Sequence, residues 1–157
     1  MKTKTIITEL TQEDLVNLLC TATYGSSWLE IHRTTDKGVK WDGDECLEDT
    51  WAKCLLAGNP IECTDHYAEG DHYGELPYKV NDDEDGIEEV TYTLTLQDII
   101  NGLQKCADGT FIDADNDRAG EWLSECYQHF KEDSGDMDNP EAEALMQIIL
   151  FGELIYG

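Results

Sequence analysis

Apolar residues recur every three or four positions in five stretches of this chain, and they alternate with polar ones in short runs between those stretches. Leu15, Leu18, Leu19 and Ala22 have helical spacing; Thr11 precedes them as a cap, and Gly25 follows as a stop. Residues 45–57 form a second helical stretch, with Cys46 or Leu47, Trp51, Cys54 and Leu55 inward, Asp44 as the expected cap and Gly58-Asn59-Pro60 as the terminator. A third runs from Leu96 to Ala107 behind Thr95, with Leu96, Ile99, Ile100, Leu103 and Cys106 on one face. The fourth, Asp113 to about Lys131, presents Ala119, Trp122, Leu123, Cys126 and Phe130. The last, opened by Pro140, presents Ala144, Leu145, Ile148 and Ile149 and ends at Gly152.

Strand signals fall at 4–8, 28–33, 39–41, 61–63, 76–80 and 88–95. Asp36-Lys37-Gly38 and residues 81–86 read as turns, and 132–139 as an acidic loop. In 88–95, Val90, Tyr92 and Leu94 share one face, while Thr91, Thr93 and Thr95 share the other. Strands and helices that do not alternate regularly predict an α+β fold: a small, mainly antiparallel sheet covered by about five helices, in a single domain spanning 1–157.

Composition changes this picture in one respect. Against 10 Lys and Arg stand 35 Asp and Glu, a formal net charge of −25. The imbalance is not uniform: residues 1–40 contain five acids and five bases, so the whole excess lies in 41–157. A chain this acidic is not expected to bind nucleic acid or anionic membrane directly; it is expected to attract basic proteins. The longest apolar run, Ile148 to Phe151, is far short of the ~20 residues of a membrane span. The Ile6-Ile7 pair is too short for a secretion signal, so the expected location is cytoplasmic. Six cysteines without a Cys-x-x-Cys pair fit reduced thiols, with Cys20, Cys54, Cys106 and Cys126 among apolar neighbours.

Candidate chemistry is sparse. Cys63, His66 and His72, with Asp65 and Asp71, contain zinc-type ligands, but without an anchoring pair the expected reading is a polar loop and no metal. Asp113-x-Asp115-x-Asp117 and Asn81-x-Asp83-x-Asp85-Gly86 match the start of a calcium loop; both lack its closing Glu, which leaves solvated turns as the expectation. No hydrolase or phosphate-loop signature is present, and the chain is expected to be neither an enzyme nor a cofactor protein.

The acidic surface itself remains. Duplex DNA carries one phosphate per ~1.7 Å, so 25 net charges equal roughly 40 Å of duplex, about the diameter of a globule this size. Acids lined up on one side would imitate DNA and fill the basic groove of a DNA-binding protein. The residues expected to do so are Asp42, Asp44, Glu45, Glu48 and Asp49; Asp82, Asp83, Glu84, Asp85, Glu88 and Glu89; and Asp113, Asp115, Asp117 and Glu121. The alternatives are a protein-interaction or assembly module, such as a homodimer using exposed Trp or Tyr, and a divalent-cation binder.

Three segments carry a resemblance: CLEDTWAKCLLAG at 46–58, YTLTLQDIINGLQ at 92–104 and ALMQIILFGELIYG at 144–157. Together they are similar to a family of acidic proteins of no established activity, carried by bacterial conjugative elements and phages. The closing LFGELIYG is the most specific part, and the chain departs from the family by a longer acidic segment at about 108–139. The resemblance implies a mobile-element context, in which inhibitors of host restriction and other DNA-targeting defence occur, some of them DNA mimics.

Overall fold

The structure is a computed structural model that describes residues 7, 9–82, 85–109 and 117–156, with residues 117–119 given by backbone alone. Along the chain come α1 (Gln12–Thr23), β1 (Leu29–Arg33), α2 (Leu47–Leu56), β2 (Ile61–Asp65), β3 (Tyr78–Asp82), β4 (Glu88–Leu94), α3 (Leu96–Asp108), α4 (Asp117–Asp133), a 3-10 turn (Ser134–Asp136) and α5 (Asn139–Phe151). The four strands form one antiparallel sheet in the order β1-β2-β4-β3, so the fold is α+β as the pattern predicts. No described helix is long and apolar enough to cross a membrane.

Helices α1, α3 and α5 start where short polar side chains satisfy orphan N–H groups of the first turn. Thr11 Oγ1 accepts from the Asp14 amide at 3.1 Å. Thr95 and Asp98 cap reciprocally: the Asp98 amide donates to Thr95 Oγ1 at 3.2 Å, and the Thr95 amide to Asp98 Oδ2 at 2.9 Å. Asp138 and Glu141 repeat the arrangement at the start of α5. Removing one such cap, as in Thr95→Ala, should cost about 1 kcal/mol of stability in urea denaturation, with an unchanged denaturant slope.

Several local expectations are corrected. Residues 39–41 form no strand: their loop is held by side chains instead, with Lys53 Nζ donating to the Lys40 carbonyl at 3.2 Å, Asn59 to that of Lys37 at 2.7 Å, and the Arg33 guanidinium 4.9 Å above the Trp41 ring. α2 starts at Leu47 and not at 45, because Asp49 reaches back to the Cys46 amide at 3.2 Å; Cys46, not Asp44, holds the cap position. Cys46 and Leu47 are both exposed rather than inward. β3 runs two residues later than expected, and the acidic loop at 132–139 is largely helical turn. Trp122 faces outward, and Cys20 is only half-buried, whereas Cys54, Cys106 and Cys126 are buried as expected. The strand signal at 4–8 lies almost wholly outside the described residues.

Register sorts the sheet into two faces. Ile31, Cys63 and Tyr92 stand in one row, Leu29, Asp65 and Val90 in the next, and both rows turn to the helices. Glu30, Thr64 and Thr91, then His32, Glu62 and Thr93, occupy the other face. α5 packs against α1, α3 and α4 and is buried nearly all round. Phe151 closes it as the hub of an aromatic cluster, its ring centroid 5.5–5.7 Å from those of Tyr92, Trp28 and Tyr73 and 6.1 Å from that of Tyr156. Buried Gln147 then fastens the closing segment: its Oε1 accepts from the Ile155 and Tyr156 amides at 2.8 Å each, and its Nε2 donates to the Tyr156 carbonyl at 3.0 Å.

Candidate partner-binding surface

Of the described acidic side chains, Asp65 alone is buried. The described members of the three runs singled out from sequence lie on different elements. Asp42, Asp44, Glu45, Glu48 and Asp49 lie at the start of α2, which packs against β1, β2 and α1. Asp82, Asp85, Glu88 and Glu89 belong to the β3–β4 hairpin at the other edge of the sheet. Glu121 is exposed on α4, which packs on α3 and α5. Asp83, Glu84, Asp113 and Asp115 lie outside the described residues, as does the side chain of Asp117.

Several of these acids have local duties. Glu45 pairs with Lys53, whose Nζ also lies 3.6 Å from Asp42. Asp49 caps α2, and Glu89 accepts from His66 Nδ1 at 2.7 Å. They are therefore less available to a partner than sequence suggested.

The hairpin end is different. The loop after β2 bends back so that the Gly70 amide donates to the Glu88 carbonyl at 3.1 Å, in line with the β2–β4 ladder. Gly70 has φ +83°, and a Cβ there would collide with the Glu88 carboxylate. This close approach gathers exposed Glu69, Asp71 and Glu88, with Asp82 and Asp85 on the same hairpin. No described Lys or Arg pairs with Glu69, Asp71, Asp82 or Glu88. Between Glu69 and Glu88 a groove of about 540 Å³ is lined by these two with His66, Tyr67, Gly86 and Ile87. Tyr67 and Ile87 are about half exposed there, and neighbouring Tyr78 and Val80 on β3 are similarly open. Sequence placed acids at 82–89 but missed Glu69, Asp71 and the apolar members; long-range docking of the 66–71 loop, which no local pattern reports, puts them together.

His66 ties this end to the outer sheet face, with Nδ1 2.7 Å from Glu89 and Nε2 2.8 Å from Glu30. Burial alone would lower its pKa, but the two carboxylates outweigh that and raise it above the usual imidazole value. A histidine so raised stabilises the fold fully below about pH 6.5 and loses that contribution as pH climbs through its folded value. Thermal melts should therefore fall between mildly acidic and mildly alkaline pH, and His66→Gln should flatten that slope.

Beneath lies Asp65. Burial raises its pKa; donation from the Tyr156 hydroxyl at 2.7 Å and the Tyr67 amide at 2.9 Å lowers it again without cancelling the burial. Tyr92, whose hydroxyl accepts from the Tyr73 amide at 3.0 Å, is pushed up to about 12 by burial. The thiol of Cys63 is buried in the same core and also pushed up.

The zinc-type residues consequently diverge. Cys63 points into the core, Asp65 is held by Tyr156, His66 by two glutamates, and His72 stacks on Tyr78 with centroids 3.8 Å apart. Among the described residues no group of three or more His, Cys, Asp or Glu is placed to hold a metal ion. Asn81 donates to Thr91 Oγ1 at 2.8 Å across the outer face, and the 113–116 part of the other calcium-like run lies outside the described residues.

Compared with known proteins, the chain matches no family model, no curated protein and no solved structure.

Proposed function

We propose that this chain is a non-catalytic binding protein that captures a basic, DNA-binding partner through the acid-rimmed groove at the hairpin end. The observation that carries the reading is the combination there of exposed carboxylates lacking a described cationic partner with half-exposed Tyr67 and Ile87. Aromatic and apolar anchors supply binding energy when desolvated, while a ring of like charge steers an oppositely charged partner and sets specificity. The net charge of −25 extends that field over the rest of the molecule. A phosphate-binding groove is the basic surface such an array fits best, so the partner class is a DNA-binding protein and the expected effect is competitive exclusion of DNA. The resemblance to acidic proteins of mobile elements agrees with a host defence or restriction enzyme as target.

Immobilised protein should retain DNA-binding proteins from bacterial lysate at low salt, release them at moderate salt, and lose them to added duplex DNA. The fourfold variant Glu69→Gln, Asp71→Asn, Asp82→Asn and Glu88→Gln should retain at least tenfold less, a change of about 1.4 kcal/mol in affinity. Retention that duplex DNA does not displace, or that survives the fourfold change, counts against the reading.

A further inference from the structure

We propose that the free edge of β1 is a self-pairing edge that joins two copies of this chain into one continuous eight-stranded sheet. The His66 amide donates to the Trp28 carbonyl at 2.8 Å. In an antiparallel ladder directly opposite residues alternate between bonded and non-bonded pairs. Trp28, Glu30 and His32 therefore bond toward β2, and the N–H and C=O groups of Leu29, Ile31 and Arg33 point off the sheet. The Thr93 amide donating to the Pro77 carbonyl at 2.9 Å carries the same phase across to β3. No described group bonds the outward backbone atoms of Leu29, Ile31 and Arg33. They open on a groove of about 650 Å³ bounded by Thr23, residues 29–36, Leu47 and Trp51.

An unprotected edge is a template for another strand, and proteins commonly block such edges with charge, bulges or proline. β1 has no proline, and its register suits itself. Antiparallel pairing about a two-fold axis at Ile31 sets Ile31 against Ile31, and Leu29 against Arg33, of the second copy. All three outward-facing residues then become bonded pairs; any shifted antiparallel register leaves at least one unpaired. The same register sets Glu30 opposite His32 twice on the outer face, an opposite-charge or hydrogen-bonding pair in place of a like-charge clash. Within one chain, His32 Nε2 already lies 3.3 Å from Glu30.

The self-matching register points to a second copy at this edge. Residues 1–40, which include β1 and the turn after it, contain five acids and five bases, whereas the remainder carries the whole excess. β1 and the turn after it carry Arg33, Lys37 and Lys40 against Glu30 and Asp36, so the paired strands add no net negative charge; the acids at 42–49 flank the same edge, and theirs is the repulsion that salt must screen. Leu47, 57% exposed on the groove, and Trp51, whose buried indole N–H has no hydrogen-bond partner, flank the same edge. Exposed Leu47 gives the second copy apolar surface to cover.

The test uses the full chain. Sedimentation equilibrium should show a monomer–dimer equilibrium whose dimer fraction rises with salt, because screening relieves the repulsion of two −25 molecules. That sign is opposite to the salt-sensitive capture proposed for the hairpin end, so the two readings fail separately. His32→Glu sets like charges opposite each other at two places and should weaken dimerisation at least tenfold, leaving circular dichroism unchanged. The swap Glu30→His with His32→Glu should restore it. In the unaltered protein, the amides of Leu29, Ile31 and Arg33 should gain hydrogen-exchange protection as concentration rises. A monomer at every concentration and salt, or a dimer that leaves these three amides unprotected, overturns the proposal.

Discussion

Phe151→Ala should lower the unfolding free energy by about 3–5 kcal/mol, the largest loss expected from a single truncation in this chain. Phe151 is fully buried and meets four aromatic rings, those of Trp28, Tyr73, Tyr92 and Tyr156. Three of those partners come from different parts of the sheet layer: Trp28 just before β1, Tyr73 in the loop after β2, and Tyr92 in β4. The fourth belongs to the closing segment. Removing the ring therefore leaves a void between α5 and the sheet that no single flexible neighbour is placed to fill. The loss should extend to Tyr156, which touches Trp28 at a centroid distance of 5.2 Å and holds Asp65 through its hydroxyl. Urea denaturation with near-ultraviolet circular dichroism is the measurement: the midpoint should fall, and the native aromatic signal should change even before unfolding. A loss below about 1 kcal/mol would mean that the ring does not hold α5 to the sheet.

The second large effect reverses an ordinary rule. In an exposed helix interior, replacing Gly with Ala stabilises by about 1 kcal/mol. Gly102 lies inside α3 and is buried, and a Cβ there would stand 2.6 Å from Ile149 Cα and 2.5 Å from Ile149 Cγ1 on α5. Because the Ile149 Cα is backbone, no movement of a side-chain end relieves that clash, so the helices themselves must separate. Gly102→Ala should accordingly destabilise, and Gly102→Val should do so by about 3 kcal/mol, at the upper end of overpacking costs. Thermal melts of the two variants beside the parent give the order directly. Melting at or above the parent value for Gly102→Ala would show that α3 and α5 do not meet at this glycine.

Both effects depend on α5, and it illustrates what a linear pattern conveys. Its inward stripe, Ala144, Leu145, Ile148 and Ile149, is readable from spacing, and so are its start near Pro140 and its stop at Gly152. That Met146, Gln147, Leu150 and Phe151 are buried as well is not, because a helix packed on several sides carries no polar face to mark its orientation. Gln147 looks like a solvent-facing residue until the closing segment folds back and uses both ends of its amide. α2 errs in the other direction: Asp44 is a good capping residue by type, yet the helix begins where Asp49 happens to reach a backbone amide.

The candidate surfaces divide in the same manner. Acidic character was legible in full, since charge is additive along a chain. Its arrangement was not: the described acids of 42–49 and 82–89 stand at opposite edges of the sheet, while Glu69 and Asp71 join the hairpin through the Gly70–Glu88 backbone contact. The β1 edge was still less visible, for which strand lies outermost depends on the order β1-β2-β4-β3 and not on any property of β1 alone.

By itself the sequence determined the α+β class, most helices and strands, the capping at Thr11 and Thr95, and the net charge, because each follows from residue type and spacing within a few turns of chain. Tertiary structure alone decided which acids are spent on Lys53, His66 and helix caps, which apolar groups stay open beside the others, and where the sheet ends. Those outcomes depend on contacts between residues far apart in sequence, whose pairing is settled only when the strands take their order and the helices their places.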